Sequence, residues 1–154
     1  MEIQNTPILG GTAPRTACRT ANKLAGFALR WADSIEPTPG IRRYLDVGCG
    51  NGFITELVGA KFDEVFGIDV EEDRLEDFRA HADYNGRFHI DLMSAAEIGF
   101  SDDYFSLLTC FEVLEHVPDP DASASEIVRT CKRGGVVVIS ALRCGFRSKI
   151  TGSA

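Results

Sequence analysis

This 154-residue chain lacks any run of about 18 apolar residues of the kind that spans a bilayer, and no charged-then-apolar leader opens it. The expectation is a cytoplasmic protein without a membrane span. Positive charge is in short supply: 16 Lys and Arg stand against 23 Asp and Glu, a net charge of −7. That balance argues against a nucleic-acid partner, because a phosphate backbone is met by a basic face. Paired cysteines are also lacking. Cys18, Cys49, Cys110, Cys131 and Cys144 are odd in number and widely spaced, which disfavours a disulfide framework or a zinc site and points to buried, reduced thiols. Residues 1–15, with Pro7, Gly10, Gly11 and Pro14, show no hydrophobic periodicity and read as a flexible arm.

What is present is ordinary globular composition, 44% hydrophobic and 25% charged, enough for one domain with a single core. The organising stretch is residues 44–55. A short apolar strand passes through Asp46 into a loop with glycine at Gly48, Gly50 and Gly52, and a helix follows. Glycine is required where φ is positive or where a ligand approaches the main chain, so the loop reads as a ligand cradle offering backbone N–H groups and a positive helix end. A dinucleotide site wants Gly-x-G-x-x-Gly; here Phe53 falls where its third glycine would stand. Asp46 beside the cradle would repel a pyrophosphate and suits an ammonium or sulfonium charge. The plain alternative is a glycine turn that only joins strand to helix. At these residues the sequence resembles the class I methyltransferases that use S-adenosylmethionine.

Residues 16–34 carry Ala17, Leu24, Phe27, Ala28 and Trp31, continued by Ile35, at helical steps. Phe27 and Trp31 read as core against a sheet, with a lid over substrate as the other reading. Pro37, Pro39 and Gly40 break the chain. A helix over 52–60 leads to a strand over 64–70 carrying Asp69 at its tip, where a carboxylate can accept a ribose hydroxyl pair; the competing role is an N-cap for the helix over 71–80. Strands follow over 87–91 and 106–110. A helix over 118–131, with Ala124, Ile127, Val128 and Cys131 as its stripe, ends in Lys132, Arg133, Gly134 and Gly135. The apolar run 136–141 reads as a strand buried on both faces. Strands alternating with helices mean an α/β fold: a Rossmann-like, doubly wound, mainly parallel sheet in three layers with about five strands. Its ligand belongs at the carboxyl ends of those strands.

The resemblance covers about residues 41–142. It implies that Asp46, Gly48, Cys49, Gly50, Asp69, Val70, Asp91, Leu92, Cys110, Phe111 and Glu112 hold S-adenosylmethionine, with Asp91 beside the adenine. Residues 95–105 resemble the family segment before the fourth strand, with Gly99 where proline is usual and Ser106 where Asp is usual. The run from Phe111 to Pro120 looks closest to the O-methyltransferases of quinone biosynthesis, where Glu-x-x-Glu-His follows the fourth strand. One helical turn would put Glu112, Glu115 and His116 on one side. Three readings stand there: His116 as the catalytic base, since imidazole titrates near neutrality; a divalent-ion site; or a solvated, capped loop. The resemblance implies a methyltransferase domain over residues 16–142 acting on a small molecule, at oxygen first, with nitrogen or carbon as the other acceptors. The family continues with further strands that residues 143–154, a short tail, cannot supply. An open sheet edge implies a partner subunit, a homo-oligomer, a tail strand or a truncated product. Two other classes remain: a nucleotide or nicotinamide enzyme using the same cradle, and a non-catalytic partner subunit.

Overall fold

The computed structural model describes residues 19–35, 40–82 and 86–141; the expected arm (1–15), the tail (143–154), Cys18 and Cys144 lie outside them. The elements run α1 (Arg19–Ser34), β1 (Arg43–Val47), α2 (Phe53–Gly59), β2 (Glu64–Asp69), α3 (Glu72–His81), β3 (Phe88–Leu92), β4 (Phe105–Phe111), α4 (Pro120–Thr130) and β5 (Cys131–Ser140). All neighbouring strands are parallel, in the order β3-β2-β1-β4-β5. The order reverses between β1 and β4, which opens a crevice at their carboxyl ends.

Two-residue alternation sorts the strand side chains onto two faces. Leu45, Val47, Phe66, Ile68, Leu108 and Cys110 pack with Ala95, Ile98 and Ile127 on one side. Tyr44, Val65 and Leu107 pack with Ala28, Ala32, Val58 and Phe62 on the other. Ile90 is paired with Gly67, hence on the face of Val65, and meets Leu75 and Phe78 of α3. The result is three layers, with α1, α2 and α3 on one face and α4 with the 93–104 segment on the other. That segment is clamped to α4 by Arg129, which donates to the carbonyls of Phe100 (2.8 Å) and Ile98 (2.7 Å) while pairing with Asp102 and Glu126.

Several packing expectations are corrected. Phe27 and Trp31 are 43% and 44% exposed and meet each other edge-on; α1 buries Ala25, Ala28 and Ala32 instead. Both stripes recur at three to four residues, so periodicity cannot choose between them, and the alanine stripe permits closer approach to the sheet. In α4, Val128 is exposed and Ser123, Ile127 and Thr130 are buried. The hydroxyls of Ser123 and Thr130 donate to the carbonyls of Asp119 and Glu126, so they enter the core already satisfied. The helix starts at Pro120, with Asp119 accepting from the Ala122 N–H at 2.9 Å. Lys132 to Gly135 do not end it; they form an irregular start of β5, where Phe105 faces Cys131 but Leu107 faces Val136. β5 is not buried on both faces either. Only Val138 is buried and Ile139 is 42% exposed, as suits a strand that only β4 pairs among the described residues.

Gly52 is the α2 cap at φ +80°, and a Cβ there would lie 2.2 Å from the ring of fully buried Phe78. Gly52→Ala is expected to cost about 3 kcal/mol, from the left-handed conformation and overpacking together. Urea unfolding checks this as a lower midpoint at unchanged slope.

Candidate cofactor cleft

Above the carboxyl ends of β1, β2 and β4 lies a cleft in two lobes. One, of about 480 Å³, is lined by Asp46, Cys49, Gly50, Asn51, Phe53 and Asp77 among others. The other, of about 640 Å³, is lined by Asp69, Val70, Met93, Ser94, Glu112 and His116 among others. Gly48, Arg74 and Phe111 border both and form the neck between them. Arg74 carries its guanidinium over Gly50 and pairs with Glu71 at 2.8 Å.

The glycine loop is tighter than a phosphate cradle. Gly48, Gly50 and Gly52 all have positive φ, and a Cβ on Gly48 would fall 2.2 Å from Val113. The expectation of free N–H groups fails at four positions. Gly48 and Cys49 donate to the Ile68 carbonyl, Gly52 to that of Cys49, and Gly50 to Asp69 Oδ2 at 2.8 Å. These bonds fix the loop against β2 and leave those amides unable to receive a phosphate.

Asp69 is 9% exposed and divides its oxygens. Oδ2 takes the Gly50 N–H, and Oδ1 takes the Glu71 N–H at 3.0 Å in a local turn. The N-cap position of α3 is Glu71 and not Asp69. Each carboxylate oxygen keeps a further lone pair, so Asp69 is stapled in place while still able to accept a hydroxyl.

Asp46 is 3% exposed, beneath the loop on the α2 side. Thr55 donates to its Oδ2 and Thr109 to its Oδ1, each at 2.6 Å. Because the Thr109 proton is committed, the Tyr44 hydroxyl donates to Thr109 Oγ1 at 2.7 Å. Burial pushes Asp46 up to about 6 against the downward pull of the Thr109 and Thr55 hydroxyls, and nearby Asp69 adds to the rise. Burial also raises Tyr44 well above its ordinary value. The Cys110 thiol is pushed up to about 12, again by burial first, and the Cys49 thiol is pushed up for the same reason; neither is a nucleophile. Cys49, Cys110 and Cys131 are free thiols.

The cleft gathers Asp46, Gly48, Cys49, Gly50, Asp69, Val70, Phe111, Glu112 and His116. Cys110 lies buried beneath it. Asp91 and Leu92 sit on β3 with outward side chains, Leu92 57% exposed, and do not line it; Met93, Ser94 and Ala95 do. Residues 112–118 form turns and not a helix, so Glu112, Glu115 and His116 do not share a helical face. Among the described residues no three His, Cys, Asp or Glu side chains are grouped to hold a metal ion. Sequence reading missed Thr55, Thr109, Arg74 and Ser140. Thr109 could be found only through the register that sets it opposite Asp46.

A parallel sheet of this order, a glycine loop after β1 and an acid at the end of β2 define a doubly wound α/β protein, a class whose ligands bind at the carboxyl ends of the strands. Comparison narrows the class. The sequence model of the methyltransferase domain matches residues 45–139, and the chain belongs to that family. It is 34% identical to the ubiquinone biosynthesis O-methyltransferase of Thiobacillus denitrificans over 137 residues, 88% of this chain and 59% of that one. The chain spans about half the length of the curated relatives it matches. A putative methyltransferase from Bacillus halodurans superposes with a TM-score of 0.63 at 27% identity, over 77% of this chain and 49% of that one. A putative S-adenosyl-L-methionine-dependent methyltransferase from Methanococcus maripaludis superposes at 0.65 and 18% identity, covering 86% and 67%, and supports the fold alone. No helix among the described residues is long and apolar enough to cross a membrane.

Proposed function

We propose that this chain is an S-adenosylmethionine-dependent methyltransferase that methylates a small molecule at oxygen, in the cytoplasm. The observation that carries it is the charge of the cleft. Asp46, Asp69, Glu71, Asp73, Asp77 and Glu112 border it, whereas Arg74, the one Lys or Arg lining it among the described residues, is tied to Glu71. Such a site repels a pyrophosphate and accepts a cationic ligand bearing hydroxyls. The nucleotide and nicotinamide reading is therefore disfavoured, as the internally bonded loop amides also argue. The free thiols support a reducing setting.

S-adenosylmethionine supplies an electrophilic sulfonium methyl when bound. Asp69, fixed by two backbone N–H groups, would accept the ribose hydroxyls. Gly48 and Phe111 would pass the ligand between the lobes, and Asp46 would face its amino-acid end. Val70, Met93 and Ala95 give an apolar wall suited to a purine. His116, exposed at the rim of the larger lobe, would take the proton of a phenolic hydroxyl. The protein's share is positioning, exclusion of water and proton removal.

Calorimetric titration with S-adenosylmethionine and S-adenosylhomocysteine tests the reading: micromolar binding is expected, and failure of both to bind overturns it. His116→Ala should leave that affinity intact and lower the methylation rate of a phenolic acceptor by about a hundredfold or more. An unchanged rate would remove His116 from the chemistry.

A further inference from the structure

We propose that Glu112, held in place by Ser140 of β5, reads the positive charge that distinguishes the methylated cofactor from its demethylated product. The proposal rests on the cleft binding S-adenosylmethionine.

Glu112 follows β4 at the switch point with φ +55°, a left-handed conformation costly for a side-chain-bearing residue. Such strain persists only where surrounding bonds over-determine it. Ser140 supplies them: its carbonyl accepts the Glu112 N–H at 3.0 Å, and its hydroxyl donates to Glu112 Oε1 at 2.7 Å. Both ends of one residue are thus fastened to the last residue of β5. The half-buried carboxylate lines the larger lobe, and no cation pairs with it among the described residues. A carboxylate partly withdrawn from water without a counter-ion raises the affinity of the site for a cation.

The covalent order of the ligand says which cation. Ribose, sulfur and amino acid follow one another, while Asp69 lies in one lobe, the neck comes next, and Asp46 lies in the other. Sulfur therefore falls at the neck, where Phe111 precedes Glu112. Arg74 at the neck has its charge offset by Glu71. S-adenosylmethionine and S-adenosylhomocysteine share the adenosine and the ammonium and differ in charge only at sulfur. Asp46, facing the ammonium, serves both alike. Glu112 favours the sulfonium and gives nothing to the neutral thioether, so methyl transfer itself weakens the hold on the product.

Calorimetric affinities for both ligands decide the matter, measured on the wild-type chain, Glu112→Gln, Ser140→Ala, Ser140→Thr and Asp46→Asn. The ratio of S-adenosylmethionine to S-adenosylhomocysteine affinity is expected to fall about tenfold in Glu112→Gln, to fall in part in Ser140→Ala, and to recover in Ser140→Thr. Asp46→Asn should weaken both ligands without moving the ratio. A wild-type ratio in Glu112→Gln overturns the charge-reading role, and a wild-type ratio in Ser140→Ala overturns the positioning role. Should Glu112→Gln fail to fold by circular dichroism, the Ser140→Ala ratio decides both. Absence of binding by either ligand to the folded wild-type chain overturns the cofactor reading, and this proposal with it.

Discussion

Asp69→Ala is expected to weaken S-adenosylmethionine binding by about a hundredfold or more and to destabilise the unliganded chain as well. The binding loss follows from two hydroxyl hydrogen bonds to a charged acceptor, each worth about 1.5–3 kcal/mol. The stability loss has a separate source, because the N–H groups of Gly50 and Glu71 would lose their acceptor, at about 1–3 kcal/mol for each that stays dry. Asp69→Asn is the sharper variant. Whichever way its amide turns, the NH₂ group confronts one of those two donors, so the near-isosteric change should lose most of what alanine loses. Calorimetry for the ligand and urea midpoints for the apo chain check both halves. Binding retained in Asp69→Asn would show that the carboxylate neither holds the ligand nor fixes the loop for it.

Asp46→Asn should do the opposite to the two quantities, stabilising the empty chain at neutral pH while weakening the cofactor. The wild-type carboxyl titrates at about 6 in the fold, against an ordinary 3.8. A carboxyl raised on folding contributes stability that is complete while it is protonated, below about pH 4, and that is lost as pH rises through about 6. The difference corresponds to about 3 kcal/mol. Asparagine cannot ionise, and its carbonyl can accept from Thr109 while its amide donates to Thr55, so the network from Tyr44 survives. The stability of Asp46→Asn minus that of wild type is therefore expected to grow by about 2.4 kcal/mol between pH 4 and pH 7.5, the remainder of the change falling below pH 4. Urea unfolding at steps across that window measures it, and the subtraction cancels the carboxylates that do not interact with Asp46. Both S-adenosylmethionine and S-adenosylhomocysteine should bind about tenfold more weakly to the variant. A difference that stays flat with pH would mean that Asp46 ionises in the fold as easily as in the open chain.

The cost of ionising Asp46 has a functional sense. Among the described residues no cation pairs with the buried Asp46 carboxylate, so on the proposed reading the stability forgone in the apo state would return as affinity for a cationic ligand. Asp69 differs, since its charge is already supported by the N–H groups of Gly50 and Glu71, which tie the glycine loop to the end of β2.

The outline of the cleft and the layers beneath it were legible in the residues. Glycines at 48, 50 and 52, Asp46 before them and Asp69 about twenty residues on are local, short-range signals whose chemistry depends on spacing. The strand and helix alternation fixed the layer architecture, because period-two and period-3.6 patterns are properties of neighbouring residues. Tertiary structure alone decided the rest, wherever two patterns were locally equivalent or partners were distant in the chain. The alanine stripe of α1 won over Phe27 and Trp31 through closeness to the sheet. β5 has one buried valine because of where it sits in the strand order. Asp91 and Leu92 ceded the cleft wall to Met93, Ser94 and Ala95, since β3 is an edge strand and the chain turns over the cleft only after leaving it. Thr109 reached Asp46 across 63 residues, and Ser140 reached Glu112 across 28. Both contacts are set by which strands lie side by side, and strand adjacency is a long-range outcome that no local pattern encodes.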